Sequence, residues 1–451
     1  MADTTDDRGV WSGKLAFILA AAGSAVGLGN IWRFPTEAAS HGGGAFLLLY
    51  LVFAFLIGFP VMMAEMTIGR NTRKNPVGAF SFLTGGNKLY ILIGAWGVLC
   101  GIMILSYYTV VAGWTFSFVF EELFHFMGFG GLSAWFGDTS SGLNNAIFSV
   151  LFMAATITII TGGVAEGIEK ATKTLMPLLL LILVILIGYV LTQEGSMKGL
   201  SQYLTPDIGK IDTEVIFAAM GQAFFSLSLG MGAIITYGSY LPKRENIAGA
   251  AAYVTLFDTG IAFLAGLLIM PAMFVAQSNG ITIFADGGLK AGPALIFQVL
   301  PNMFHNLGGV WGMIFGVGFF LLLSIAALTS TISLLEVVTA YAIDEHGVQR
   351  KKAAMGVGSG ILLISLIISF NINLISTLDL VFSSIGLPLG GFLICLFLAY
   401  KWGPENAMEE IRQGYAAFDQ SLVRKAWPIF IKVIAPLAIL YNLLSTLYGA
   451  F

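Results

Sequence analysis

Cysteine, histidine and charge are all scarce in this chain. Two cysteines and four histidines in 451 residues give no disulfide framework. Cys100 and Cys395 fall in separate apolar runs, and no His/Cys spacing reads as a metal centre. Only 10% of residues are charged, against about 25% in a soluble domain. No G-x-x-x-x-G-K phosphate loop is present, so the chain is not expected to drive transport by its own ATP hydrolysis. Nor do a nucleophile, a base and an orienting group fall together in any segment, which argues against an enzyme. The start, "MADTTDD", is acidic and no small-residue cleavage site follows the first apolar run, so a removable signal peptide is not expected.

What fills the chain is hydrophobic residue, 57% of the total. Runs long enough to cross a ~30 Å hydrocarbon core fall at 14–37, 44–69, 90–120, 143–162, 174–192, 214–240, 247–276, 308–343, 353–370, 375–400 and 427–450. Eleven helical spans are expected, because a membrane β-barrel would alternate in ten-residue segments instead. All but Arg33, Lys198, Lys210 and Lys290 of the 22 lysines and arginines gather on one side if the N-terminus is cytoplasmic. The positive-inside rule then sets that orientation, and an odd number of spans leaves the C-terminus outside.

The first run is irregular where a helix should be most regular. "AAGSAVGLGNIWRF", 21–34, holds three glycines in seven positions, then Asn30 and Arg33. Each glycine costs roughly 1 kcal/mol against alanine in a helix interior, and a charge at bilayer depth costs at least ~2.5 kcal/mol. The sixth run repeats the anomaly, with Ser226, Ser228, Gly230 and Gly232 inside "GQAFFSLSLGMGAIITYGSY", 221–240. Unwound backbone survives at membrane depth only where it lines a cavity or is buried in protein. Two interrupted segments, five spans apart, point to a midplane site between two inverted five-span repeats. Freed N–H groups there suit a carboxylate, and freed carbonyls suit a small cation.

These segments, together with "GGGAFLLLY" at 42–50, "ILSYYTVVAGW" at 104–114 and "ALTSTIS" at 327–333, resemble the neurotransmitter:sodium symporters, in particular bacterial amino-acid transporters with the LeuT fold. The resemblance runs from about Arg8 to the end and implies an all-α integral membrane protein with a 5+5 inverted repeat, broken helices 1 and 6, and eleven spans. Residues 1–13 would be a cytoplasmic segment, 14–192 the first repeat, 214–400 the second and 427–451 the eleventh span. The twelfth span found in other members is not expected here, as in several bacterial members.

Carried over by position, the resemblance implies two Na+ ions. The first would meet the Ala25 carbonyl, Asn30, Ser226 and Asp258, and the second the carbonyls of Gly23, Val26 and Ala326 with the hydroxyls of Thr329 and Ser330. All are the oxygen donors a hard cation takes. The substrate carboxylate would meet Leu28, Gly29 and Tyr108, and its ammonium Ala25, Phe225 and Ser226, with Ser228 nearby. Ser24, Ile104, Met231, Ser333 and Leu334 would face its side chain. Arg33 with Asp379 would close the outer path above Phe225, and Arg8 with Asp344 the inner one beside Trp11 and Tyr240.

The implied activity is sodium-coupled import of a hydrophobic amino acid, aliphatic or aromatic, by alternating access across the cell (inner) membrane. The partners are that substrate and membrane lipid, with no nucleic acid, and a monomer suffices. The positions resembling the chloride site of animal members are Tyr50, Gln222, Ser226 and Ala262. Ala262 supplies no hydroxyl, while Asp258 brings a carboxylate, so chloride independence is expected. A proton-coupled carrier, or a carrier of another solute, is the second reading, and Asn30 and Asp258 argue against proton coupling alone. A channel would need a filter or pore ring, and none is found.

Overall fold

The computed structural model describes residues 9–285, 288–289 and 293–450. Among them nine helices are long and apolar enough to cross a membrane, from Gly44–Thr72 to Leu422–Tyr448. One further pair, Lys14–Ala25 and Gly29–Ser40, is bent by 56° at its break. The expected sixth span is also a pair, Thr213–Ser226 and Ala233–Ser239, with six residues between its halves. Neither half is long enough to cross a bilayer alone. Two short strands, Phe284–Ala285 and Gly288–Leu289, pair antiparallel.

The helix boundaries follow local chemistry. Asn75, Asn87, Ser141, Asp212 and Asn246 each accept a backbone N–H at a helix start, satisfying donors the first turn leaves open. The helix expected at 174–192 begins earlier, at Val164, after Gly163 at φ 83°. Glu166, Glu169, Lys170 and Lys173 lower the hydropathy of its first turns. Yet Lys173 bonds Glu169 at 2.6 Å, an i,i+4 pair that favours the helix. Short connecting helices such as Gly130–Phe136, Ser196–Leu204 and Leu300–Leu307 lie between the membrane-length ones.

The long helices Lys88–Phe126 and Gly309–His346 pack against each other along much of their length. The two broken segments lie beside them, with Ile247–Ser278 against the first. Their breaks therefore open into protein rather than lipid, which is the condition freed backbone requires.

Candidate functional site

The first break begins where Lys14–Ala25 gives way to extended backbone at Val26 and resumes in a wide turn at Gly29–Arg33. A Cβ on Gly27 would lie 2.4 Å from Ser330 Oγ and 3.1 Å from the Tyr108 hydroxyl. Glycine here lets the backbone approach two side chains that line the site. The second break holds Ser228 at φ 54°, Gly230 at 85° and Gly232 at 80°, and left-handed Ser228 is sterically costly. Two hydrogen bonds hold this turn: Ser228 Oγ donates to the Ser24 carbonyl at 2.9 Å, and the Gly230 N–H donates to Glu65 at 2.7 Å.

Between the breaks is a cavity of about 580 Å³, and all twelve residues expected to touch the substrate line it. Its size lies within the range of small-molecule sites. One end carries the polar groups. The Leu28 N–H donates to the Tyr108 hydroxyl at 3.2 Å, so two of the three expected carboxylate donors are adjacent and the phenol's own proton is left to give. Ile104, Met231 and Leu334 are nearly fully buried on the apolar wall.

Beside the cavity lies a buried carboxylate. Asp258 has no exposed surface. It accepts Asn30 Nδ2 at 2.7 Å on Oδ1, and the hydroxyls of Ser226 at 2.8 Å and Tyr50 at 3.2 Å on Oδ2. Among the described residues no lysine, arginine or histidine pairs with it. A buried charge needs compensation, and three neutral donors supply only part. Asn30 differs from expectation in one respect: it faces the cluster with its amide nitrogen, while Oδ1 accepts the Gly27 N–H at 3.1 Å. A cation there requires the amide turned over, so that oxygen replaces nitrogen.

The second expected cation set also converges. Thr329 Oγ1 donates to the carbonyls of Val26 at 3.3 Å and Ala326 at 2.9 Å, and a Cβ on Gly23 would sit 3.4 Å from Thr329 Cβ. Ser330 lines the cavity one residue further on.

The two ends of the path differ. Arg33 and Asp379 line the same cavity, but the ion pair expected between them is not formed. Arg33 lies over the Phe225 ring at 4.5 Å and approaches Glu37 at 3.8 Å, while Asp379 accepts the Tyr107 hydroxyl at 2.9 Å. Each is held by other partners instead. At the other end Arg8 lies outside the described residues. Asp344 accepts the N–H and side-chain amide of Asn75 at 2.7 and 3.1 Å. Trp11 is buried, its indole N–H on the Tyr237 carbonyl at 3.0 Å and its ring edge-on to Tyr240.

The sequence reading named Tyr240 at the inner end but missed Glu65, Glu336 and Arg350. Tyr240 donates to Glu336 at 2.7 Å and Arg350 pairs with the same carboxylate. The available signal was an ionisable residue inside an apolar run, which by default marks a partnered or functional position.

Membrane-spanning helices, two of them broken against a cavity lined by freed backbone, with a buried carboxylate beside it, define a secondary transporter of the LeuT fold. The chain belongs to the sodium:neurotransmitter symporter family, whose model matches residues 8–139 and 138–449. It is 34% identical over 454 residues to the uncharacterized sodium-dependent transporter YhdH of Bacillus subtilis (strain 168), covering 96% of this chain and 97% of that protein. A sodium- and chloride-dependent GABA transporter 2 of Homo sapiens is 28% identical over 66% of this chain and 56% of its own length. Among solved structures, MhsT in complex with L-phenylalanine superposes with a TM-score of 0.84 at 40% identity, covering 97% of this chain and all of that one. The chain is thus a sodium-dependent multi-pass membrane transporter, not an enzyme.

Proposed function

We propose that this transporter imports a hydrophobic amino acid together with two sodium ions, independently of chloride, by alternating access between its five-span repeats, 14–192 and 214–400. The reading counts 213–239 as one broken span, and hence eleven spans with the N-terminus cytoplasmic. The observation that carries it is Asp258: a wholly buried carboxylate with no cationic side-chain partner among the described residues, held by Asn30, Ser226 and Tyr50, beside backbone oxygens freed by a broken helix. A cation bound there completes the charge balance. The apolar wall of Ile104, Met231 and Leu334 supports a hydrophobic side chain, as does the L-phenylalanine bound to MhsT.

Asp258 also bears on chloride. The hydroxyls of Tyr50 and Ser226, which would otherwise hold an anion, already donate to its carboxylate. Ala262, one turn further along Ile247–Ser278, adds no donor. A fixed negative charge therefore occupies the role a mobile anion would play beside two cations at low dielectric.

The proposed cycle starts with the cavity open at the Arg33 end. Sodium and substrate neutralise the exposed dipoles, Phe225 and Arg33 swing over the substrate, and Arg33 reaches Asp379. Release then requires the Trp11 and Glu336 contacts at the inner end to part. Uptake of a panel of labelled amino acids into proteoliposomes tests this reading. Accumulation of aliphatic or aromatic amino acids is expected in an inward sodium gradient and not in choline; equal uptake in both would overturn it.

A further inference from the structure

Outside the transport site, four groups converge where the long helix Lys88–Phe126 ends against the short helix Leu300–Leu307. Glu121, His125 and His305 offer ligand atoms that all lie within 4.8 Å of one another. The two imidazoles stack in parallel, ring centres 3.4 Å apart. His305 Nε2 stands 3.6 Å from Glu121 Oε1 and 3.4 Å from Glu122 Oε2. The four histidines looked scattered in sequence, and chain folding brings two of them into contact.

The pocket is constructed rather than incidental. Glu122 is fully buried, yet neither of its carboxylate oxygens has a hydrogen-bond partner, and Glu121 Oε2 and His305 Nε2 lack one as well. Glu121 keeps its other oxygen on the Ser133 hydroxyl at 3.0 Å. Gly316, on the facing helix, leaves the space Glu122 fills: a Cβ there would fall 2.3 Å from Glu122 Oε2. The nearest counter-charge to Glu122 among the described residues is His305 Nε2 at 3.4 Å, a loose ion pair and not a hydrogen bond; a buried carboxylate so weakly compensated is costly, and a metal cation held at that point would relieve it.

We infer that Glu121, His125 and His305, backed by the carboxylate of Glu122, form a binding site for a divalent transition metal of the zinc class. Two imidazoles with carboxylate oxygen suit a borderline cation such as Zn2+ and do not suit Na+ or Mg2+. Metal bonds of about 2.0–2.2 Å require the ligand atoms to draw closer and one ring to turn out of the stack. His125, exposed at the helix end, is free to turn.

The metal would also tie down a segment packed against the cavity wall. The turn Leu295–Val299 leads directly into His305's helix. Its Phe297 meets Trp32 at 5.6 Å, Trp114 at 5.8 Å and Phe118 at 4.9 Å, and Trp32 and Trp114 line the cavity. Bridging His305 to the Lys88–Phe126 helix fixes this segment against the cavity wall. Because closure would move that wall, bound metal slows transport. This consequence rests on the proposed alternating-access cycle and orientation; the binding itself does not.

The test titrates Zn2+ into the purified full-length protein by calorimetry and Co2+ by visible absorption, using the parent, His125→Ala, His305→Gln and Glu121→Gln. One site per chain with the intense absorption of four-coordinate Co2+ is expected, and each variant should weaken binding about tenfold or more, since even supporting groups around a metal cost 10–100-fold. His125→Ala alters an exposed side chain and so leaves folding intact. Absence of Zn2+ binding, or equal binding by parent and variants, would overturn the site and leave His305 as a proton-bearing partner of two carboxylates. Zn2+ applied outside intact cells should reduce uptake by the parent and not by His125→Ala. Binding without inhibition would refute the clamping role alone, and neither result depends on which amino acid is carried.

Discussion

The Arg33 end of the cavity and the Trp11 end of the bundle are built from similar residues but held very differently. At the Arg33 end the guanidinium rests on one aromatic ring and stands 3.8 Å from a partly exposed glutamate; a contact of that kind is worth about 0–1 kcal/mol. At the Trp11 end, Glu336 has no exposed surface and binds both Tyr240 and Arg350. Ser12 and Lys173 share Glu169 nearby. One end is held by a few weak, solvated contacts and the other by buried, charge-assisted ones. In the proposed cycle alternating access amounts to exchanging these conditions, and the ion and substrate would provide the free energy that loosens the buried end.

The largest effect is expected from Glu336→Gln. Removing one partner from a buried ion pair costs about 3–5 kcal/mol, here concentrated at the closed end. Hydrogen exchange should rise for 9–14 and 233–241 while the Arg33 end changes little. Uniform protection in the variant would show that this group does not hold the inner end.

Asp258→Ala comes next, with a loss of about 2–5 kcal/mol in sodium binding, the usual cost of deleting one side of a buried charge interaction. Isotopic sodium binding to purified protein reads it out, and an unchanged affinity would remove Asp258 from the ion site. Tyr108→Phe should weaken amino-acid binding by roughly 1.5–3 kcal/mol, the value of a hydrogen bond to a charged group, leaving sodium binding by Thr329 and Ser330 intact. Arg33→Ala is expected to alter substrate binding by no more than about 1 kcal/mol yet to reduce uptake at least several-fold, because in the proposed cycle its pair with Asp379 forms only on closure. Equal losses in binding and uptake would mean that Arg33 acts in the open form.

Sequence reading reached the two breaks because glycine, serine and asparagine inside an apolar run conflict with helix propensity and lipid burial at once. It reached the twelve cavity residues through the resemblance, and chain folding brings all of them to one space. It paired Arg33 with Asp379, whereas the structure sets Arg33 beside Glu37 and Phe225; the i,i+4 glutamate on the same helix was the competing partner it did not weigh. The orientation of the Asn30 amide was likewise hidden, because it is decided by Gly27 and Asp258 together. Glu65 and Glu336 were overlooked although each stands alone in an apolar run. Their partners, Gly230 and Arg350, lie far away in the chain or beyond the helix end. The early start of Val164–Leu191 escaped notice because hydropathy does not register charges that satisfy one another.

The central claim is that Asp258 stands in for a mobile anion at the sodium site. Its most direct test is sodium-driven uptake in chloride and in gluconate, by the parent and by Asp258→Asn combined with Ala262→Ser. The account predicts equal parental uptake in the two anions, and uptake by the double variant that falls when chloride is replaced. A several-fold loss of parental uptake in gluconate would contradict it.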